Sequence, residues 1–208
     1  MRGVPPVVFI VDDDPSVRTS LTRLIEATGY AVEAFASARE FLERERYAGP
    51  SCLVLDVRMP GLSGLDLQEM LAGAGRRMSI VFVSGHGDIS MSVRAMKGGA
   101  VDFLTKPFDE KELLTAIDRA VAKDVHDLDD EARLAEVQKR VNTLTPREVE
   151  VFALVVTGML NKQIASRLGI VEKTVKVHRA RVMEKMRARS VAELVRLADR
   201  LGVIVPKS

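Results

Sequence analysis

The 208-residue sequence has no tryptophan, one cysteine and no long hydrophobic run, and each of these absences narrows what the protein can be. The lone cysteine, Cys52, excludes an internal disulfide and is typical of a reducing compartment. No apolar run approaches the roughly 18 residues of a membrane span, and the run at residues 7–11 stops at Asp12, too soon for a signal peptide. We therefore expect a cytoplasmic protein without a membrane segment.

The composition, 47% hydrophobic and 29% charged, is typical of a folded protein, but the charge is unevenly distributed. The net charge is −3 in residues 1–122, −2 in residues 123–142 and +7 in residues 143–208. A basic segment of this size indicates a polyanionic partner, nucleic acid first, although a solvated basic face is the alternative from charge alone.

Short apolar runs alternate with helical patterns in the first part of the chain, at residues 7–11, 31–35, 52–56, 80–84 and 101–105. Five β/α repeats with short connections predict an α/β domain over residues 1–122, with a doubly wound five-stranded parallel sheet. The usual strand order in such flavodoxin-like sheets is 2-1-3-4-5, and the ligand site lies between strands 1 and 3.

Two helix starts are marked by local signals. Asp14 before Pro15 is typical of an N-cap followed by the first helical residue. Ser37 with Glu40 predicts a capping box that opens a second helix running through Tyr47.

The sequence between Pro107 and Pro146 contains neither glycine nor proline. Its apolar spacing permits one long helix, and aspartates in residues 126–130 equally permit two helices with a break there. We predict a helical linker over residues 123–142, with both alternatives open.

Residues 143–208 have helical periodicity and form the predicted C-terminal domain. Thr145, Pro146 and Glu148 mark the start of a first helix, and further helices are predicted at 161–168, 172–186 and 190–202. A short helix, a glycine-containing turn and a longer basic helix make a helix-turn-helix pattern within an all-α four-helix domain.

Three acidic residues follow strands that are expected to be neighbours. Asp12 and Asp13 follow strand 1, and Asp56 ends strand 3, so their carboxylates converge at the carboxyl edge of the sheet. Two carboxylates about 4 Å apart repel by about 4 kcal/mol at an effective dielectric near 20. A hard divalent cation relieves this repulsion, so the pattern predicts a Mg2+ site.

The same edge receives Ser84 from strand 4 and Lys106 from strand 5. A lysine and a hydroxyl beside Mg2+ make Asp56 a plausible nucleophile that forms an aspartyl phosphate. Taken singly, each residue has an ordinary alternative as a cap, a turn residue or a surface charge; together they favour a phosphorylation switch.

The motifs "IVDDD", "LDVRMPGLSG", "VSGHGD" and "DFLTKPF" resemble the receiver domain of two-component response regulators, and residues 84–108 resemble the FixJ subgroup in particular. The resemblance implies that Asp56 is the phosphoacceptor and that Asp12, Asp13 and the main-chain carbonyl of Arg58 arrange Mg2+ with it. It also implies that Ser84 and Lys106 contact the phosphoryl group and that Phe103 is a switch residue that turns inward on activation.

The sequence from "LTPREVEVF" to "VMEKM" resembles the DNA-binding domain of NarL/LuxR-type regulators. The resemblance implies that Lys176 and Val177 face bases, and that neighbouring residues contact phosphates or bases: Lys173, Thr174, Arg179 and Arg181. Two departures are Val171, where a serine is common, and Ala180, where some members have a lysine.

These observations predict a transcription factor of a two-component system rather than an enzyme, with at most autophosphorylation and autodephosphorylation of Asp56. The expected partners are a sensor histidine kinase, double-stranded promoter DNA, RNA polymerase and, on phosphorylation, a second copy of the chain. One alternative is a Mg2+-dependent phosphatase, which Arg58 disfavours because such enzymes commonly have an acid at that position. Another is a constitutive DNA-binding protein whose first domain only dimerises.

Overall fold

The computed structural model describes residues 4–85 and 89–202. His86 and Asp88 of the "VSGHGD" motif, and residues 203–208 of the predicted C-terminal domain, lie outside the described residues. The chain divides into two compact units, Met1–Leu128 and Asp129–Ser208.

The first unit contains a five-stranded, all-parallel sheet in the order β2-β1-β3-β4-β5, which confirms the predicted topology. The strands are β1 (Val7–Val11), β2 (Ala31–Phe35), β3 (Ser51–Asp56), β4 (Ser79–Ser84) and β5 (Asp102–Thr105). The three central strands β1, β3 and β4 are buried throughout, as expected for a sheet covered on both faces.

Five helices accompany the strands: α1 (Pro15–Glu26), α2 (Ala38–Glu43), α3 (Gly64–Gly73), α4 (Ile89–Lys97) and α5 (Glu110–Val141). Alternating side chains of the strands form two cores, one on each face of the sheet. Leu53 packs with residues of α2, α3 and α4, whereas Val54 packs with residues of α1 and α5. This layering holds the carboxyl ends of the strands at one edge, where the candidate site lies.

The prediction that the second helix runs through Tyr47 is wrong, because α2 ends at Glu43. Ser37 caps the helix by accepting a hydrogen bond from the Glu40 amide at 3.2 Å. However, the Glu40 carboxylate accepts from the Ala36 amide at 2.8 Å, so the reciprocal bond of the predicted box goes to the residue before Ser37. Arg44 then takes an extended conformation and places its guanidinium 3.8 Å from the centre of the Phe9 ring. This stacking on the sheet core competes with helix continuation.

Helix α5 is a single helix from Glu110 to Val141, so the structure has one helix where the sequence left one or two open. No helix among the residues placed by the structure is both long enough and apolar enough to cross a membrane.

The second unit is helical, with α6 (Pro146–Val156), α7 (Asn161–Leu168), α8 (Glu172–Lys185) and α9 (Val191–Arg200). Thr145 and Glu148 form the predicted capping box. Gly169 ends α7 in the left-handed conformation, φ 64°, and this turn leads into α8. The predicted stripe of Val175, Val182 and Met186 lies fully in the core of this unit.

Candidate functional site

Three charged side chains meet at the carboxyl edge of the sheet. Asp12 follows β1, Asp56 ends β3 and Lys106 follows β5. The Lys106 Nζ lies 2.7 Å from Asp12 Oδ2 and 2.9 Å from Asp56 Oδ1. The side chains of Asp12 and Asp56 are 2% and 8% exposed, so one ammonium group bridges two buried carboxylates.

Burial and this bridge act in opposite directions on the charges of the site. Burial raises the pKa of Asp56 above its usual value, and the hydrogen bond from Lys106 only partly offsets it. For Lys106, burial acts to lower the pKa, but the hydrogen bonds to Asp12 and Asp56 outweigh it and the pKa is raised. The pocket therefore holds a concentrated negative charge with one compensating cation.

The three consecutive aspartates have different environments. Asp12 Oδ1 accepts a hydrogen bond from the Asp14 amide at 2.9 Å, which fixes the carboxylate in place. Asp13 is exposed. Asp14 caps α1 as predicted, because its carboxylate accepts hydrogen bonds from the amides of Ser16, at 2.7 Å, and Val17. These two hydrogen bonds lower the pKa of Asp14.

Other groups of the site were missed by sequence reasoning. Arg18 donates to the main-chain oxygen of Asp12 at 2.7 Å, and the amide of Arg58 donates to Asp56 Oδ2 at 2.7 Å. Gly64 approaches Asp56 so closely that a Cβ atom would lie 2.2 Å from the Asp56 main-chain oxygen. Only the glycines of the "PGLSG" motif hinted at this approach.

Ser84 and Phe103 lie on the two strands beyond Asp56. Ser84 is buried at the end of β4, and its main-chain oxygen accepts from the Lys106 amide at 2.7 Å. Phe103 on β5 is half-buried, with its ring centre 6.2 Å from that of Phe82. The sheet thus places Ser84 on the strand next to that of Asp56, and Phe103 one strand further out.

The described residues contain no group of three or more His, Cys, Asp or Glu side chains arranged to hold a metal ion. The site does offer two buried, convergent carboxylates, Asp12 and Asp56, with their oxygens held by main-chain amides. Mg2+ prefers one or two protein carboxylates and completes its shell with water and phosphate oxygens, so this donor set fits it.

A second candidate site is the outer face of α8. Four of the six predicted DNA-contacting residues are exposed there: Lys173, Lys176, Val177 and Arg181. Thr174 is half-buried near the start of the helix. Lys176 pairs with Glu172 at 3.4 Å, an exposed pair that a phosphate can displace at little cost.

Arg179 differs from the other five because it is already engaged within the unit. Its guanidinium donates to the Asn161 side chain at 2.9 Å, which ties α8 to the first residue of α7. Val171, at the N-cap position of α8, is 66% exposed and supplies no capping hydrogen bond. What is missing is a side-chain cap, because the Val171 main-chain oxygen accepts a hydrogen bond from the Thr174 amide at 3.0 Å.

Comparison with known proteins assigns both parts of the chain. Residues 8–118 match the response regulator receiver domain, and residues 142–198 match the bacterial regulatory proteins of the luxR family.

Several relatives match over nearly the whole chain. Nodulation protein W of Bradyrhizobium diazoefficiens is 52% identical over 95% of this chain and 87% of its own length. The transcriptional regulatory protein FixJ of Azorhizobium caulinodans is 44% identical over 94% of this chain and 93% of its own. Among solved structures, the response regulator StyR has a TM-score of 0.82 and 46% identity, covering 95% of this chain and all of that one.

The sheet order, the matched domains and these relatives agree with the resemblance found in the sequence. The chain belongs to the two-component response regulators, and it is a transcriptional regulator that joins a receiver domain to a luxR-family DNA-binding domain.

Proposed function

We propose that a partner sensor histidine kinase phosphorylates Asp56 in a Mg2+-dependent reaction, and that this phosphorylation promotes dimerisation and binding of promoter DNA. The observation that carries the proposal is the Lys106 bridge between Asp12 and Asp56. It brings a buried nucleophile, a second carboxylate and a cation to one point.

In the proposed reaction, a carboxylate oxygen of Asp56 attacks phosphorus, and the bond to the kinase histidine nitrogen breaks. The Arg58 amide at 2.7 Å holds the other carboxylate oxygen and so orients the nucleophile. Lys106 neutralises charge on the transferred group. Asp12 and Asp13, with Asp56 and the Arg58 carbonyl, would hold Mg2+, which supplies charge neutralisation between the carboxylates and the phosphoryl oxygens.

An apolar groove beside the phosphoacceptor supports the kinase as partner. It has a volume of about 400 Å³ and reaches from Lys106 and Pro107 across Val17, Leu21 and Leu24 of α1. A helix of the kinase seated in this groove would place its histidine next to Asp56.

Phosphorylation replaces a charge of −1 on Asp56 with about −2. We infer that the added charge draws Ser84 toward the phosphoryl group and that Phe103 moves with it, which changes the surface made by α4, β5 and α5. Helix α4 already exposes Ile89, Val93 and Met96, an apolar stripe that a second copy would cover in the dimer.

In the DNA complex, we infer that α8 lies in the major groove, where Lys176 and Val177 contact base edges. Lys173, Thr174, Arg179 and Arg181 contact bases or phosphates, for which Arg179 would exchange or share its Asn161 partner. The regulator then acts on RNA polymerase in the cytoplasm. This order of events links a kinase signal to transcription through two sites on one chain.

Phosphorylation itself is tested with acetyl phosphate as donor on the full chain. We expect wild type with Mg2+ to gain one phosphoryl group by intact mass spectrometry, and Asp56→Asn or omission of Mg2+ to prevent it. Phosphorylation of Asp56→Asn at the wild-type rate would contradict the assignment.

Dimerisation of wild type and Asp56→Asn is tested by equilibrium sedimentation. Binding of promoter DNA by the same two proteins is tested by genome-wide mapping of bound DNA. Under the proposal, the donor raises the mass and promoter occupancy of wild type but not of Asp56→Asn. Equal promoter occupancy by both proteins would instead favour the constitutive DNA-binding alternative.

A further inference from the structure

Four arginines surround a small cavity at the edge of the sheet opposite to Asp56. The cavity is lined by Arg44 and Arg46, which follow α2, and by Arg76 and Arg77, which precede β4. Ser51, the first residue of β3, also lines it, so it lies at the amino end of the strands. Ser51 and Asp56 are the two ends of β3, five residue steps or roughly 17 Å apart at 3.3 Å per residue.

Arg44 is fixed in this cavity by its surroundings. Its guanidinium stacks on Phe9 at 3.8 Å and on Phe41 at 4.6 Å, and its Nη1 donates to the Glu45 carbonyl at 2.7 Å. Its Nε is buried and has no hydrogen-bond partner among the residues that the structure describes. A buried donor without an acceptor is costly, and because this Nε is shielded from solvent, an acceptor in the cavity reaches it only when the Arg44 side chain shifts.

The cations of the cavity are poorly compensated. Arg44, Arg46, Arg76 and Arg77 form no ion pair with an acidic side chain within the described part of the chain. Burial lowers the pKa of the Arg44 guanidinium. The negative charge of Glu33 acts to raise this pKa, and the positive charge of Arg76 lowers it further. Asp124, a buried acid that contacts Ser51 of the cavity lining, is engaged with the Ser51 amide at 2.8 Å.

The dimensions suit a compact anion. The cavity has a volume of about 70 Å³, several times the roughly 10–15 Å³ that one water needs. A neighbouring cavity of about 200 Å³ shares Arg76, Arg77 and Met78 with it and is lined further on by Lys123, which is paired with Asp127.

We propose that this arginine cavity is a binding site for the phosphate group of a small molecule, separate from the phosphorylation of Asp56. Guanidinium groups match phosphate oxygens with pairs of parallel hydrogen bonds, and a dianion satisfies several of them at once, which a monocarboxylate cannot do. The neighbouring cavity has room for the organic part of an organic phosphate. The proposal does not depend on the proposed phosphotransfer.

The test is calorimetric titration of the full chain with pyrophosphate, without Mg2+ or a phosphoryl donor and at constant ionic strength. We expect the Arg76→Gln/Arg77→Gln variant to bind at least about tenfold more weakly than wild type, because charge-assisted hydrogen bonds are lost. The matched control is Arg196→Gln/Arg200→Gln, which removes two exposed cations from α9, outside both the cavity and the α8 face, and should change the affinity less than about twofold. Equal weakening in both variants, or none in the first, would overturn the proposal.

Further arms define the ligand and guard against misfolding. Acetate should bind about tenfold more weakly than inorganic phosphate, and equal affinities would rule out the phosphate class. Comparing inorganic phosphate with ribose 5-phosphate separates a free anion from an organic phosphate.

In NMR spectra, pyrophosphate should shift the Arg44 Nε–H signal, and an unmoved signal would place the anion elsewhere. If the double variant unfolds, the exposed single variant Arg77→Gln decides, with an expected loss of about threefold or more.

Discussion

Gly64 begins helix α3 against the strand that carries Asp56, and a Cβ atom there would lie 2.2 Å from the Asp56 main-chain oxygen. Because that oxygen belongs to the backbone of a central strand, it cannot move away as a flexible side chain would. We expect Gly64→Ala to lower the free energy of unfolding of the receiver unit by about 2 kcal/mol, the usual range for overpacking. It should also slow phosphorylation of Asp56. Urea titration and acetyl phosphate kinetics measure the two effects.

Gly73 is the matched control for this substitution because it ends the same helix with nothing within 4 Å of its Cβ position. Gly73→Ala should leave phosphorylation unchanged and raise the free energy of unfolding by about 0.5 kcal/mol through the helix preference of alanine. Equal effects of the two alanines would show that the approach of Gly64 to Asp56 has no special consequence.

At the scale of elements, Glu148 joins the start of α6 to the end of α8. Its carboxylate completes the capping box with Thr145 and accepts a hydrogen bond from Lys185 at 2.6 Å. The Glu148 side chain itself is 2% exposed. The bond from Lys185, followed by the Thr145 amide, lowers the pKa of Glu148 from 4.5 to about 2.

This lowered pKa gives the second unit an acid-sensitive stability. A depressed carboxylate pKa stabilises the fold above the unfolded-state pKa of about 4.5, and that contribution is lost as the pH falls toward 2. We expect Glu148→Gln to remove about 2 kcal/mol at pH 7, the size of a buried charge-assisted hydrogen bond. Urea titration followed by the methyl NMR signals of Val151 and Ile164 measures it.

The comparison of wild type with Glu148→Gln across pH isolates this carboxylate from the other acids. The stability difference between the two proteins should shrink steadily from pH 5 to pH 2. A difference that stays constant over this range would show that the charge of Glu148 does not hold α6 and α8 together.

Helix α4 presents an apolar stripe of Ile89, Val93 and Met96, spaced by four and three residues and 84%, 44% and 47% exposed. If this stripe is covered in the phosphorylated dimer, Val93→Asp would bury an unpaired carboxylate there. We expect the phosphorylated variant to dimerise at least about tenfold more weakly. Arg94→Gln, on the same helix and with the same change of charge but on the face that pairs with Glu69 of α3, should dimerise normally in equilibrium sedimentation. A normal dimer of Val93→Asp would mean that another surface pairs.

For the whole molecule, sequence alone predicted the strand order, most helix boundaries and the meeting of Asp12, Asp56 and Lys106 at one sheet edge, because these follow from local caps, periodicity and the geometry of parallel sheets. Asp13, expected to converge with them, is exposed. Prediction from the sequence failed where a contact between residues distant in the sequence determines the local structure. Helix α2 stops at Glu43 because Arg44 stacks on Phe9, which is distant in the sequence. Likewise, no local pattern shows that Asn161 engages Arg179, and the glycines of "PGLSG" are only a hint that Gly64 faces the Asp56 backbone.

The uneven charge of the chain leads to a prediction about DNA binding. The net charge of +7 lies in residues 143–208, and Lys173 and Arg181 are exposed on α8. Each phosphate contact adds about 0.9 to the slope of log affinity against log salt, because a condensed counterion is released. Lys173→Gln should therefore reduce the magnitude of the slope by about 1 while lowering affinity similarly for all DNA sequences.

If Val177 faces bases as proposed, Val177→Ala should act differently, since such a side chain carries sequence information and no charge. We expect it to change the preference among sites and to leave the salt slope unaltered. Arg196→Gln on α9 removes a cation outside the α8 face and is the control for net charge alone. If Arg196→Gln reduces the slope as much as Lys173→Gln, the basic charge of the unit attracts DNA without a defined phosphate contact at the start of α8.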